Sequence, residues 1–249
     1  FPDALILESA NEELGNRLND TDIAADSGAL SEDERYATVN SVNQAFVDTV
    51  RASGGNNAER FLLVAGYDTD IEKTCDPRFA MPSDSAKDRL LVSVHYYEPS
   101  DYCVNTGVGH WGAKDEYARM NALFKKMTKF TKAGDGVVVV EYGVSLRKDV
   151  TLKDNTLDFL GNLLDNCDVY GYSPILWDCS SFFKRSPIGV IAPEVAALYS
   201  GRSLAARAGK SEDEIGMAAR MSLGSAVAGA AERPSVAPDA AVAWIMYNS

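Results

Sequence analysis

Histidine is scarce in this chain, two residues in 249, and its four cysteines, Cys75, Cys103, Cys167 and Cys179, stand far apart with no close pair among them. A structural zinc site takes Cys or His in pairs a few residues apart, so this spacing argues against metal. Disulfides suit an extracellular chain, but the spacing assigns none. Basic side chains are also in the minority, 24 Lys and Arg against 36 Asp and Glu, leaving a formal net charge of −12. Such a surface repels phosphate backbones and anionic lipid, which sets aside nucleic acid and membrane as partners and favours an uncharged polymer. No stretch approaches the roughly 18 apolar residues of a membrane span. Phe1-Pro2-Asp3 lacks the basic region that opens a signal peptide, so a leader is expected either to have been removed or to belong to a longer protein.

What is present is enough apolar material, 46% of residues, for one sizeable core, with or without an appendage. Short apolar runs alternate with amphipathic stretches, the pattern of βα units on a parallel sheet. Ala4 to Leu7 runs into Glu8-Ser9-Ala10-Asn11-Glu12-Glu13, and Val39, Val42, Phe46 and Val50 recur at helical spacing before Gly54-Gly55. Phe61 to Val64 reads as the next strand, and Leu90 to Tyr97 as a buried one with its polar and aromatic residues at the C-terminal end. Tyr117, Met120, Phe124 and Met127 mark a helix face. Val137 to Val140 is a β-branched run ending at Glu141. Leu157, Leu160 and Leu164 predict another helix, Ser173 to Asp178 a last short strand, and Pro193 to Tyr199 a closing helix. The chain thus reads as α/β, with about five strands in units sized for a βα barrel or a doubly wound sheet. No glycine-rich phosphate loop follows any of these strands, which speaks against a nucleotide-binding fold. From 201 to 249 the composition turns to Ala, Gly, Ser and Arg, and this stretch is expected to be a helical tail on a domain of residues 1–200.

In parallel βα barrels the βα loops converge at the C-terminal ends of the strands, and chemistry gathers there. Glu12, His95, Tyr97, Glu141 and Trp177 all fall at such ends, on four different strands. Two carboxylates at one mouth suit glycosidic cleavage, one protonating the leaving oxygen and the other attacking the anomeric carbon. Taken singly, each residue has a plainer use. A strand-end glutamate caps the next helix or pairs with a base, His95 serves as a satisfied core imidazole, and Trp177 as core packing. Tyr67, Tyr102 and Trp111 lie in strand-end loops and fit either outer sugar platforms or loop packing. For the cleavage reading, Glu12 must hold its proton while Glu141 stays ionised, so their surroundings must push the two pKa values apart. The carboxyl groups should then stand roughly 5–5.5 Å apart for retention of configuration; about 9 Å would imply inversion.

Ser9-Ala10-Asn11-Glu12-Glu13, His95-Tyr96-Tyr97, Val140-Glu141-Tyr142-Gly143-Val144 and Leu176-Trp177-Asp178 together resemble glycoside hydrolase family five, especially endoglucanase-like members from gut and rumen bacteria. The resemblance implies a retaining β-1,4-glucanase with no cofactor, secreted and acting on a β-glucan poly- or oligosaccharide. Glu12 would be the acid/base, Glu141 the nucleophile, Asn11 a substrate-binding amide, His95 and Tyr97 hydrogen-bonding groups around the centre, and Trp177 a stacking platform. Where the family carries proline after the acid/base, this chain has Glu13, a like charge beside the acid.

The likeness covers about residues 3–200 and begins at what is the fourth strand of the family's eight. It implies an incomplete TIM (β/α)8 barrel equivalent to strands four to eight, without the arginine, histidine and aromatic platforms of the first three. Open sheet edges and an uncovered barrel interior favour association, so the expectation is a homo-oligomer in which copies complete one another. A catalytically weak or inactive half-barrel that binds glycan or self-assembles is the competing expectation.

Overall fold

A computed structural model describes residues 5–20, 28–105, 110–178 and 181–202. The expected tail lies, from residue 203 onward, outside the described residues. Elements run in the order β1 (Leu7–Glu8), α1 (Glu32–Ala52), β2 (Leu62–Asp70), α2 (Ile71–Thr74), β3 (Leu90–Tyr96), α3 (Ser100–Cys103) and α4 (Lys114–Lys126). There follow α5 (Thr128–Ala133), β4 (Gly136–Tyr142), α6 (Thr156–Tyr170), β5 (Ser173–Pro174), a hairpin of β6 (Phe183–Arg185) and β7 (Ile188–Val190), and α7 (Pro193–Ser200). Strands β1 to β5 form one sheet in sequence order. Five parallel strands with intervening helices are consistent with part of a (β/α) barrel, as expected. The chain clusters into two compact units, Phe1–His95 with Lys126–Val139, and Tyr96–Lys125 with Val140–Ser249.

In the first unit, α1 starts with a capping box: Ser31 accepts from the Glu34 backbone N–H while Glu34 reaches back to Ser31. Three acidic residues in its first turn and Arg51 in its last complement the helix dipole. Tyr36, Val39, Asn43 and Val47 are its buried residues. The expected stripe was rotated: Val39 is in the core but Val42 is exposed, because the buried face includes a polar residue. Asn43 donates to the Ala65 carbonyl at 2.9 Å and accepts from Ser9 Oγ at 2.7 Å, and Ser9 Oγ accepts from the Ala65 N–H at 2.9 Å. An amide so engaged is a satisfied core group. Strands β1, β2 and β3 pair in parallel, with Glu8 opposite Leu63, Leu63 opposite Leu91 and Ala65 opposite Ser93. Beyond Ala65 the β2–β3 register shifts, and Asp68 and Thr69 both adopt φ near +51°.

The second unit packs around α6, whose Phe159, Leu160 and Leu163 are fully buried. Tyr96 meets Phe124 edge-on at 5.2 Å, and Trp111 meets Phe159 edge-on at 5.3 Å. The last strand of the sheet is two residues long, shorter than the expected Ser173 to Asp178. Past Pro174 the backbone still follows β4 at one point, since the Trp177 N–H donates to the Tyr142 carbonyl at 2.9 Å.

Candidate active site

Glu12 sits in the turn after β1, and β2 fixes that turn. The Asp68 N–H donates to the Leu14 carbonyl at 2.6 Å, and the Asp68 carboxylate accepts from the Asn16 N–H at 2.7 Å. The left-handed backbone at Asp68 and Thr69 is what turns this carboxylate toward the loop. Gly15 permits the approach: a Cβ there would lie 2.0 Å from Asp68 Oδ1 and 2.8 Å from the Asp68 nitrogen. Lys73 pairs with the same carboxylate at 2.7 Å. Tyr67 completes the anchor, donating to Asn16 Oδ1 at 3.0 Å while accepting from Arg35 at 2.8 Å.

On this anchored turn, Glu12 Oε1 lies 2.9 Å from Nδ1 of His95, near the C-terminal end of β3. The imidazole is buried, with a side chain 5% exposed, whereas the Glu12 side chain is 50% exposed. One partner is thus held by packing and the other is open to solvent. Asn11 is exposed and its backbone N–H donates to Glu13 Oε2 at 3.1 Å. Glu13 therefore braces the turn on the Asn11 side.

Within the second unit, Glu141 is the next-to-last residue of β4 and is buried. Tyr97, the residue after β3, donates its hydroxyl to Glu141 Oε2 at 3.2 Å. Trp177 is 38% exposed. Its backbone carbonyl comes so close to Gly143 that a Cβ there would sit at 3.3 Å from it. The carboxylate of Asp178 is buried and accepts from the N–H groups of Ser181 and Phe182 at 2.9 and 2.8 Å, which ties the base of the hairpin to the Trp177 turn.

Three aromatics expected as outer platforms or loop packing are packing. Tyr67, Tyr102 and Trp111 are each 1% exposed or less. Trp111 lies 4.4 Å from Tyr117, centroid to centroid, and Tyr102 donates to the Asp154 carbonyl at 2.7 Å. The residues that anchor the Glu12 turn, Asp68 and Asn16 above all, were not found from sequence. Two adjacent non-glycine residues at positive φ leave no mark in composition or periodicity.

Residues 2–182 match the model of the cellulase family, glycosyl hydrolase family 5. The chain belongs to that family. It is 29% identical over 198 residues to a xyloglucan-specific endo-beta-1,4-glucanase of Bacteroides ovatus, a match covering 72% of this chain and 38% of the relative. It is likewise 29% identical over 204 residues to endoglucanase A of Paenibacillus barcinonensis, covering 72% of this chain and 48% of that protein. The chain thus spans less than half the length of these two relatives. Among solved structures it is similar to a GH5-4 broad specificity endoglucanase from an uncultured bovine rumen ciliate, with TM-score 0.63 and 27% identity over 81% of this chain and 61% of that one. It is also similar to a Bacteroides ovatus GH5 xyloglucanase in complex with a XXXG heptasaccharide, with TM-score 0.66 and 26% identity over 81% of this chain and 46% of that one. Among the described residues no helix is long and apolar enough to cross a membrane.

Proposed function

We propose that this chain is a retaining glycoside hydrolase that cleaves β-1,4-glucan by double displacement, with Glu12 as acid/base and Glu141 as nucleophile. One observation carries the reading: each carboxylate has a hydrogen-bond partner from the C-terminal end of the same strand, His95 for Glu12 and Tyr97 for Glu141. Residues two apart on extended backbone face the same side and stand roughly 6.5–7 Å apart. Two carboxylates whose partners stand two residues apart in the sequence support the paired acid/base and nucleophile roles.

In the first step Glu12 gives its proton to the glycosidic oxygen while Glu141 attacks the anomeric carbon, forming a glycosyl ester and releasing the far sugar. In the second, Glu12 takes a proton from water, which displaces Glu141 and restores the β-configured end. The Tyr97 hydroxyl holds Glu141 by one oxygen and aims the other. His95 holds Glu12 by the oxygen at 2.9 Å, and the half exposure of Glu12 fits a group that must trade protons with water. Asn11 supplies an amide to a sugar hydroxyl. Trp177 offers an exposed indole face to the ring of the cleaved subsite.

On this reading the five strands correspond to strands four to eight of the family barrel, and the preferred polymer is a β-1,4-glucan such as xyloglucan or mixed-linkage glucan. Such polymers cannot enter a cell intact, so the site of action is extracellular. Copies of the chain associate to cover what five strands leave open.

The test is activity on carboxymethyl cellulose, xyloglucan and mixed-linkage glucan, with products resolved by size, for the parent chain beside Glu12→Gln and Glu141→Gln. Turnover by the parent that both substitutions abolish supports the reading. Equal activity in all three overturns the residue assignment. Glucan binding without turnover in the parent would make the chain a binding half-barrel.

A further inference from the structure

A third carboxylate, Glu8, stands on β1 just ahead of the turn that carries Glu12. Registered partners in a parallel sheet share a face, and alternate residues along each strand share it too. Glu8 is opposite Leu63 and Ala65 is opposite Ser93, so Glu8, Leu63, Ala65, Ser93 and His95 all point to one side. That side faces away from α1, because Ser9, next to Glu8, is the residue that turns its hydroxyl to Asn43 of the helix. On the shared side Ser93 Oγ donates to Glu8 Oε1. The bond joins β1 to β3 across the intervening strand. Ala65 is the β2 residue opposite Ser93. Ser93 is itself fully buried and stands two residues before His95.

We infer that Glu8 is a positioning residue: by holding Ser93 across Ala65 it fixes β3 where the His95 ring meets Glu12. The inference rests on the reading of Glu12 as acid/base. Two rungs then rise along one face of β3 toward β1, Ser93 to Glu8 and His95 to Glu12, and the lower sets the height of the upper. The β1 strand is two residues long, so its backbone pairing alone is a weak constraint on where the Glu12 turn begins.

The test uses the full chain with Glu8→Gln, which keeps an acceptor oxygen, Glu8→Ala and Ser93→Ala, which break the rung, and Glu12→Gln. The chain has two histidines, so long-range proton–nitrogen spectra show two imidazoles, and His110→Gln assigns them. The expected result is that Glu8→Ala and Ser93→Ala move the His95 ring signals in the direction that Glu12→Gln does, while Glu8→Gln leaves them near the parent position. On β-glucan, Glu8→Ala should lower kcat about ten- to a hundred-fold with KM within about two-fold, as for a misplaced acid, and Glu8→Gln should recover most of it. Unmoved His95 signals in folded Glu8→Ala and Ser93→Ala overturn the inference, whatever the activity. Loss of KM and kcat together without rescue by Gln does so as well. Equal activity of the parent and Glu12→Gln would instead strike the acid/base reading, and the ring signals would still report on the rung.

Discussion

At the scale of single residues the two proposed acids differ in their surroundings, and that difference predicts how each fails. Glu12 is half open to solvent and held by one ring nitrogen, whereas Glu141 is buried with a phenol on one oxygen. Removing the proton donor hurts in proportion to how poorly the leaving group departs unaided. Glu12→Gln should therefore slow glucan hydrolysis about 10²–10⁴-fold while sparing the first step on an aryl cellobioside with an acidic phenol. Stopped-flow release of the phenol measures this, and equal losses on both substrates would contradict the assignment. Tyr97→Phe removes one hydrogen bond to a charged group, a contribution of about 1.5–3 kcal/mol. Roughly a ten- to hundred-fold fall in kcat is expected from steady-state kinetics. The strand-end motifs made these residues legible in the sequence, because residue type and position after an apolar run are both local properties. The fates of Tyr67, Tyr102 and Trp111 were not, since an aromatic in a loop reads the same whether it turns inward or out. Nor was Glu8, whose partner Ser93 lies 85 residues away.

At the scale of elements, α1 is joined to the loop before β3 by a buried pair. Arg51 Nε and Nη2 reach the two oxygens of Asp84 at 2.8 and 2.7 Å, with side chains 7% and 5% exposed. Cutting one partner leaves a buried charge, so Asp84→Asn should cost about 3–5 kcal/mol, read by urea unfolding. The hydrogen bonds from Arg51 hold the Asp84 carboxyl below its usual range. A lowered folded-state pKa means that the contribution is complete above the unfolded value, near about 3.9, and fades as pH drops through the folded one. The Tm difference between parent and Asp84→Asn should accordingly be full at pH 6 and shrink below about pH 4; a constant difference would contradict the pairing. Gly66 is a second element-level test, because a Cβ there would sit 2.1 Å from Thr74 Oγ1. Gly66→Ala should destabilise by about 1–3 kcal/mol through overpacking of β2 against α2. Strand and helix order could be read from periodicity. The rotated face of α1 could not, because its buried Asn43 is justified by partners just past β1 and on β2. The β6–β7 hairpin was missed, although Ser186-Pro187 and Gly189 between two short runs are turn signals.

At the scale of the whole molecule the charge balance and the proposed substrate make a joint prediction. A neutral glucan gains nothing from steering by a net charge of −12, so kcat/KM should change less than about two-fold as ionic strength rises ten-fold. A steep salt dependence would point to a charged substrate. Both edges of the sheet are strands of two residues, β1 and β5, and short edges are one way proteins blunt unwanted pairing. Proposed self-association then rests on apolar surface left open rather than on edge pairing. Sedimentation at micromolar concentration should show a dimer or larger, and a monomer alone would remove the proposal. The order of strands could be inferred from the chain, but which segments complete the sheet was beyond it, because closure depends on surfaces that no local pattern encodes.

The central claim is that Glu141 forms a covalent bond to the sugar. A 2-deoxy-2-fluoro cellobiosyl fluoride slows the second displacement more than the first and so lets a glycosyl-enzyme accumulate. Mass spectrometry of the treated chain, followed by peptide mapping, should find one added fluorocellobiosyl group on Glu141 and none in Glu141→Gln. A label on another side chain, or no label on a chain that turns over β-glucan, would contradict it.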